Sequence, residues 1–354
     1  MARRPRKTLL SRSLQRVFTT MTRTAVRAGT KAIKQSLKPA ASPKKRAVAK
    51  PLALKRKPAK RSPAPSTNWI TGIAVGTAGP RRYRLFKPTG VTRSEQLPLL
   101  VMLHGCSQDA DKIAASSQMN KIATRERFMV LYPEQDRLSN PLGCWNWYDT
   151  RSGRAQGESG AIDAMINQIC LSQPIDQQRI AIAGFSAGAG LAALLATRHP
   201  ERFRAVAMHS GIAPGVANSS ATAISAMRGR RTGAPLAPSA AGPRLPGLLV
   251  IQGSSDHVVA ATNGHQAAGM WAVQMGAKPS KPRTVQRGER YAATITDYKT
   301  RGRLVATLCE VQRLGHAWSG GAAGQDFSDP KGPNASSMIW SFVAKQFEFA
   351  DEAA

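Results

Sequence analysis

Ser186 stands between two glycines in Gly184-Phe185-Ser186-Ala187-Gly188, after the apolar run "IAIAG" and before a string of small residues. G-x-S-x-G at the junction of a strand and a helix is the pattern of a nucleophile elbow. Such a sharp turn brings backbones together, demands small flanking residues, and projects the serine Oγ from the carboxyl end of the strand. The helix that follows offers free N–H groups and the positive end of its dipole to a developing negative charge. The same five residues also fit a glycine-rich turn with a helix-capping serine, so the remaining chemistry must be sought elsewhere in the chain.

A serine hydroxyl needs a base that titrates near neutrality, which points to histidine. In strand–elbow–helix hydrolases the chain order is Ser, then Asp or Glu, then His. His316, in "RLGHAWSGG", is the only histidine after His265 and follows an apolar run. Asp256, in "LLVIQGSSDHVV", lies just past Gly253, where its carboxylate can fix the histidine tautomer and stabilise the imidazolium. Asp297 is the competing acid, but in "TITDYKT" it alternates with apolar residues like the outward-facing side of a strand. The two donors of an oxyanion hole are expected at the N–H of Ala187 and, in the loop after "VMLHG", at the N–H of Cys106. His104 fits a loop-bracing role, His199 a structural helix end, His265 an exposed helix, and His209 the lining of the site.

These positions require a particular scaffold. Apolar runs at 97–105, 128–133, 179–185, 203–211, 245–253 and 306–314 alternate with helical patterns, including 187–198 and 334–349. Continuous apolar strands alternating with helices predict an α/β fold, with a mostly parallel central sheet covered on both faces. Residues 214–244, rich in Ala, Ser, Gly and Pro, read as a long surface excursion.

Charge divides the chain. Residues 1–65 hold 20 Lys and Arg and no acidic residue, while the other 31 basic residues accompany all 20 acidic ones. Within the extension 1–67, Leu10, Leu14, Val17, Phe18, Met21 and Ala25 share one helical face, predicting a basic amphipathic helix over about 8–37. Residues 38–67 have the Pro, Lys and Ala composition of an extended linker. The catalytic domain is expected over 68–350. A polybasic segment can make nonspecific contact with a polyanion, and the apolar helix face can lie on an anionic membrane or granule surface. No specific protein partner is inferred. The segment "TLLSRSLQRVF" lacks the apolar block of a signal peptide, and its Arg-rich, acid-free character resembles a transit peptide. The four cysteines show no C-x-x-C spacing, so no metal site is expected; neither is any cofactor. They allow three full pairings, and sequence does not choose between these and free thiols.

The blocks "LHGCSQDAD" (103–111), "FMVLYPEQ" (128–135), "NPLGCWNWYD" (140–149), "GFSAGAG" (184–190), "HSGIA" (209–213), "QGSSDHVV" (252–259) and "GHAWSGG" (315–321) occur in this order. Together they resemble the catalytic domains of poly(3-hydroxybutyrate) depolymerase-family esterases, relatives of feruloyl and acetylxylan esterases in the α/β-hydrolase superfamily. The resemblance spans roughly residues 70–348. It implies Ser186, Asp256 and His316 as the triad of a serine esterase acting on hydroxyalkanoate oligomers or polymer. A carbohydrate esterase is the alternative, and a polyanion-binding or surface-binding protein the alternative of another class. It further implies an extracellular protein, with an intracellular one as the alternative. Trp145 and Trp147 of "CWNW", with Trp318, are then expected to form an apolar wall for substrate. Cys106 and Cys144 fall in adjacent loops of the implied site and are candidates to pair.

Overall fold

The computed structural model describes residues 68–76, 79–233 and 245–351. The expected helix over 8–37 and linker over 38–67 lie outside these residues, as does part of the excursion expected over 214–244.

Leu97–Leu103 (β3), Met129–Pro133 (β4), Ile175–Phe185 (β5), Ala205–His209 (β6), Gly247–Gly253 (β7) and Arg303–Val311 (β11) occupy the six apolar runs. They pair in parallel in the order β4-β3-β5-β6-β7-β11. Every residue of β3, β4, β6 and β7 is buried, which explains why these strands read as continuous apolar runs and not as alternating ones. Both margins of the sheet are antiparallel. Trp69–Gly76 (β1) and Gly79–Phe86 (β2) extend it beyond β4. Ala293–Thr300 (β10), with the short Lys278–Pro279 (β8) and Arg283–Val285 (β9), extends it beyond β11.

Two layers of helices cover the sheet. Arg154–Ser172 (α3), Ala187–Arg198 (α4) and Thr262–Gln274 (α6) place Ile162, Met165, Leu191, Leu195, Ala267 and Trp271 in the core of one face. Ala110–Ser117 (α1), Met119–Glu126 (α2) and Ala335–Asp351 (α7) cover the other, where the ring of Trp340 stacks 3.7 Å from that of Phe128. Asp109 caps α1 by accepting the Lys112 N–H. The excursion expected at 214–244 contains a helix, Ser220–Met227 (α5), started by a reciprocal Ser219–Thr222 capping box. Its Ala223 and Ala226 are buried, so this part of the segment belongs to the packed body.

The strand-to-helix joint at β5–α4 fixes the rest of the arrangement. A methyl group at Gly188 would lie 2.4 Å from the Leu103 oxygen and 2.6 Å from the His104 oxygen. At Gly184 it would lie 2.3 Å from the Gly188 backbone. The first turn of α4 therefore sits directly on the end of β3, an approach that no larger residue permits. Gly188→Ala is expected to destabilise the fold by about 1–3 kcal/mol, read as a fall of about 2–4 °C in Tm per kcal/mol by scanning calorimetry. Gly269→Ala, in helix α6 with no atom within 4 Å of the added methyl, serves as the control. It is expected to leave Tm unchanged or raised.

Candidate active site

Ser186 occupies the turn between β5 and α4 with φ 55° and ψ −119°, a backbone that L-residues seldom adopt. Its own peptide groups are fully engaged. The N–H donates to the His209 carbonyl at 2.9 Å, and the carbonyl accepts from Ala189 and Gly190 at 3.0 and 3.2 Å. These bonds hold the strained turn and leave the side chain free to face the loop after β11.

That loop carries His316. Its Nε2 lies 3.0 Å from Ser186 Oγ and its Nδ1 lies 2.8 Å from Asp256 Oδ2. With the proton on Nδ1, the ring donates to the carboxylate and accepts from the hydroxyl, so one continuous hydrogen-bonded series runs from Asp256 to Ser186. Asp256 lies in the loop after β7, and its Oδ1 accepts the Val258 and Val259 N–H groups at 2.9 and 2.8 Å. Burial pushes its carboxyl pKa up, but the His316 hydrogen bond and charge and the two backbone donors outweigh burial and hold it below its ordinary value. The loops bearing Asp256 and His316 are tied to each other. Ser254 N–H donates to Val311 O, Ser255 N–H to Leu314 O, and Arg313 N–H to Ser254 Oγ. Asp297, the competing acid, sits on β10, where its two oxygens accept from Thr307 and Arg283.

Among the described residues, the N–H groups of Cys106 and Ala187 have no hydrogen-bond acceptor. Ala187 is the first residue of α4, and Cys106 belongs to the loop that α4 presses against at His104. This loop is fastened to the segment 142–144 and braced within itself. A disulfide joins Cys106 to Cys144. Ser107 N–H donates to Leu142 O, and Gly105 N–H donates to the Gln108 side chain. Cys170 and Cys309 are free; burial raises the Cys309 thiol to about 12, which leaves it unreactive.

The three tryptophans correct an expectation. Trp145 and Trp318 are each 1% exposed and Trp147 is buried too, so none of the three presents a flat face to solvent as a substrate wall. Trp145 packs 5.3 Å from the His104 ring, Trp147 covers Gly190 of α4, and Trp318 stacks 5.0 Å from the His209 ring while its Nε1–H donates to Ser336. They attach the loops of the site to the core. A sequence of paired aromatics in a loop does not disclose which way they turn.

Three further groups support the site. His104 is buried, with Nδ1–H donating to Gly105 O and Nε2 accepting the Gln135 N–H, the bracing role its position suggested. His209 is buried beneath the elbow and does not line an open surface. Glu158, on α3, was not anticipated. Its carboxylate accepts from Gln135 Nε2 and from both the backbone and side chain of Asn146, and burial raises its pKa against the pull of those bonds. The signal available in sequence was a carboxylate in helical phase with Ile162, Met165 and Ile169 on a buried face. Among the described residues, no cluster of three or more His, Cys, Asp or Glu side chains could hold a metal ion, and no helix is long and apolar enough to cross a membrane.

The sheet order, the elbow at the end of β5 and the loops after β7 and β11 define an α/β-hydrolase fold. The chain matches the family model "Esterase PHB depolymerase" over residues 81–277, and it belongs to that family. Poly(3-hydroxyalkanoate) depolymerase C of Paucimonas lemoignei is 29% identical over 210 residues, covering 55% of this chain and 49% of that one. Feruloyl esterase B of Neurospora crassa is 28% identical, covering 42% of this chain and 48% of the relative. The chain thus spans about half the length of these curated relatives. Among solved structures, the acetyl xylan esterase from Aspergillus awamori superposes with a TM-score of 0.59 at 18% identity, covering 70% of this chain and 93% of that one.

Burial gives the site a stability signature. It lowers the pKa of His104 to about 4 and that of His209 to about 3, against an ordinary value of 6.5. As pH falls below about 6.5 the unfolded chain takes up these protons first. Their contribution is therefore complete above that pH and drains away down to the folded values, on the order of 2 kcal/mol per histidine by pH 5. Calorimetry is expected to show Tm falling between pH 7.5 and pH 5, with a smaller fall in His104→Gln. An identical fall in that variant would contradict the assignment.

Proposed function

We propose that the chain is a serine hydrolase of carboxylic esters working through an acyl-enzyme. The observation supporting this is the hydrogen-bonded series Asp256–His316–Ser186, set beside two N–H groups without acceptors. His316 Nε2 takes the Ser186 hydroxyl proton as Oγ attacks the ester carbonyl carbon. The N–H groups of Cys106 and Ala187 receive the negative oxygen of the tetrahedral intermediate. Asp256 keeps the imidazole in the required tautomer and stabilises its positive form. His316 then passes the proton to the departing alcohol. Water, deprotonated by the same ring, releases the acid and restores the serine.

The substrate we favour is an oligo- or poly(3-hydroxyalkanoate), by family membership and by the likeness to the Paucimonas depolymerase. The likeness to feruloyl esterase B supports a carbohydrate esterase as the second reading. Ser186→Ala is expected to lower kcat on p-nitrophenyl butyrate by at least about 10⁴-fold; full activity in that variant overturns the mechanism. On a panel of hydroxybutyrate oligomers, acetylated xylo-oligosaccharides and feruloyl esters, kcat/KM is expected to favour the first by about tenfold or more. The opposite preference selects the second reading. An oxidising, extracellular setting agrees with the Cys106–Cys144 bond.

Residues 1–65 suggest an additional activity, nonspecific contact with polyanions, supported by their 20 basic and no acidic residues. The full chain is expected to bind double-stranded DNA in a titration from about 50 to 200 mM salt, with affinity falling steeply. Removing residues 1–65 is expected to abolish binding, and undiminished binding removes this reading. Flotation with anionic vesicles separates a membrane surface from nucleic acid.

A further inference from the structure

His209 lies outside the Asp256–His316–Ser186 series yet is bonded both to Ser186 and to the segment that carries His316. Its backbone carbonyl accepts the Ser186 N–H at 2.9 Å. Its side chain, fully buried, accepts the Ser319 N–H on Nε2 at 3.0 Å, and Nδ1 lies 3.1 Å from Ser210 Oγ. Ser319 is three residues beyond His316, on the same short segment. The His209 ring also stacks against Trp318, at 5.0 Å and 23°, and meets the edge of Phe185 at 5.5 Å. Phe185 immediately precedes the serine, and its ring lies 5.0 Å from that of His316.

We propose that His209 is a positioning residue: its neutral imidazole, accepting the Ser319 N–H, locks the segment 316–319 to the elbow and so sets the contact between His316 Nε2 and Ser186 Oγ. This rests on the esterase reading and deepens it. One residue anchors the nucleophile through its main chain and the base through its side chain, so an error in either is limited by the same rigid group. The bond to Ser319 requires Nε2 to be unprotonated, and the tautomer is then fixed by Nδ1–H donating to Ser210 Oγ. A protonated ring would set N–H against N–H. Burial first, then the charge on His316, disfavour that form, with Asp256 opposing. The imidazole is therefore built to stay neutral while its neighbour His316 gains and loses a proton. Ser319 is itself held by its Oγ–H donating to Pro333 O, and Trp318 by its N–H donating to Phe327 O. These bonds hold the segment on its far side, and the His209 acceptor holds it on the side of the elbow.

Three variants and two readouts test this. His209→Phe keeps a ring against Trp318 and removes the acceptor. His209→Gln places an amide oxygen where Nε2 stood. Ser210→Ala removes the group that fixes the tautomer. With p-nitrophenyl butyrate, His209→Phe is expected to lower kcat about 10- to 100-fold with KM within about twofold, the scale on which small misplacements of reacting groups act. His209→Gln is expected to recover most of that loss. The second readout is the hydrogen-bonded His316 Nδ1 proton in the NMR spectrum, sharp in the parent and in His209→Gln and broadened in His209→Phe. It reports the geometry whether or not the ester is turned over, so a parent without esterase activity removes the functional reading alone. Unchanged kcat and spectrum in His209→Phe overturn the proposal. So does a His209→Gln variant as slow as the Phe variant at equal Tm, which would assign the effect to the ring and not to the acceptor. If His209→Phe fails to fold, Ser210→Ala decides: a several-fold fall in kcat with broadening of the His316 signal is expected, and parental values of both overturn the proposal.

Discussion

The peptide of Ser186 holds a positive φ while every polar group of its main chain is satisfied, and this combination constrains the structure around it. A backbone so placed is costly by about 1–3 kcal/mol and persists only where its surroundings fix it from several directions. Here the N–H is held by the end of β6 and the carbonyl by the first turn of α4. The helix can supply that turn only by pressing Gly188 onto the end of β3. Once it does so, the β3 loop with Cys106 is brought beside the N-terminus of α4. The strain at Ser186 and the contact of α4 with the end of β3 are thus consequences of a single joint.

The same loop is restrained from the other side by a buried network. Glu158 receives three donors, from Gln135 and Asn146, which come from the segments after β4 and before α3. Gln135 also donates to the carbonyl of Cys144, the disulfide partner of Cys106. A buried carboxylate is expensive unless its lone pairs are filled, and filling them from distant segments makes it a fastening. The path from α3 to the Cys106 loop therefore runs through hydrogen bonds and one covalent bond, while Trp145 and Trp147 fill the apolar space around it.

Much of this was legible where it depends on neighbours in sequence. The elbow glycines, the six apolar runs and the loop positions of Asp256 and His316 are local patterns, and the parallel strands follow them closely. The antiparallel margins were not legible from continuous apolar runs, because β1, β2 and β10 are each only partly buried and mix exposed with half-buried positions. Nor was the burial of Trp145, Trp147 and Trp318. Their orientation is set by His104, Gly190 and His209, which are far from them in sequence. Glu158 escaped for the same reason: a carboxylate on an apolar helix face is meaningful only once the donors arriving from elsewhere are known.

The fold gives three of its imidazoles different partners. His104 and His209 each have one ring nitrogen donating and the other accepting, both inside a core that disfavours charge. His316 differs in one respect: its Nδ1 faces a carboxylate, with a hydroxyl at Nε2. Of these three rings, His316 alone has a carboxylate at hydrogen-bond distance. In a region of low polarizability, this difference in partner decides where a proton can reside, since an unpaired imidazolium inside the core would lack compensation. On the proposed mechanism, the rigid neutral rings would hold the site together without competing for the proton that His316 takes up, and the charge would stay on the line between Asp256 and Ser186.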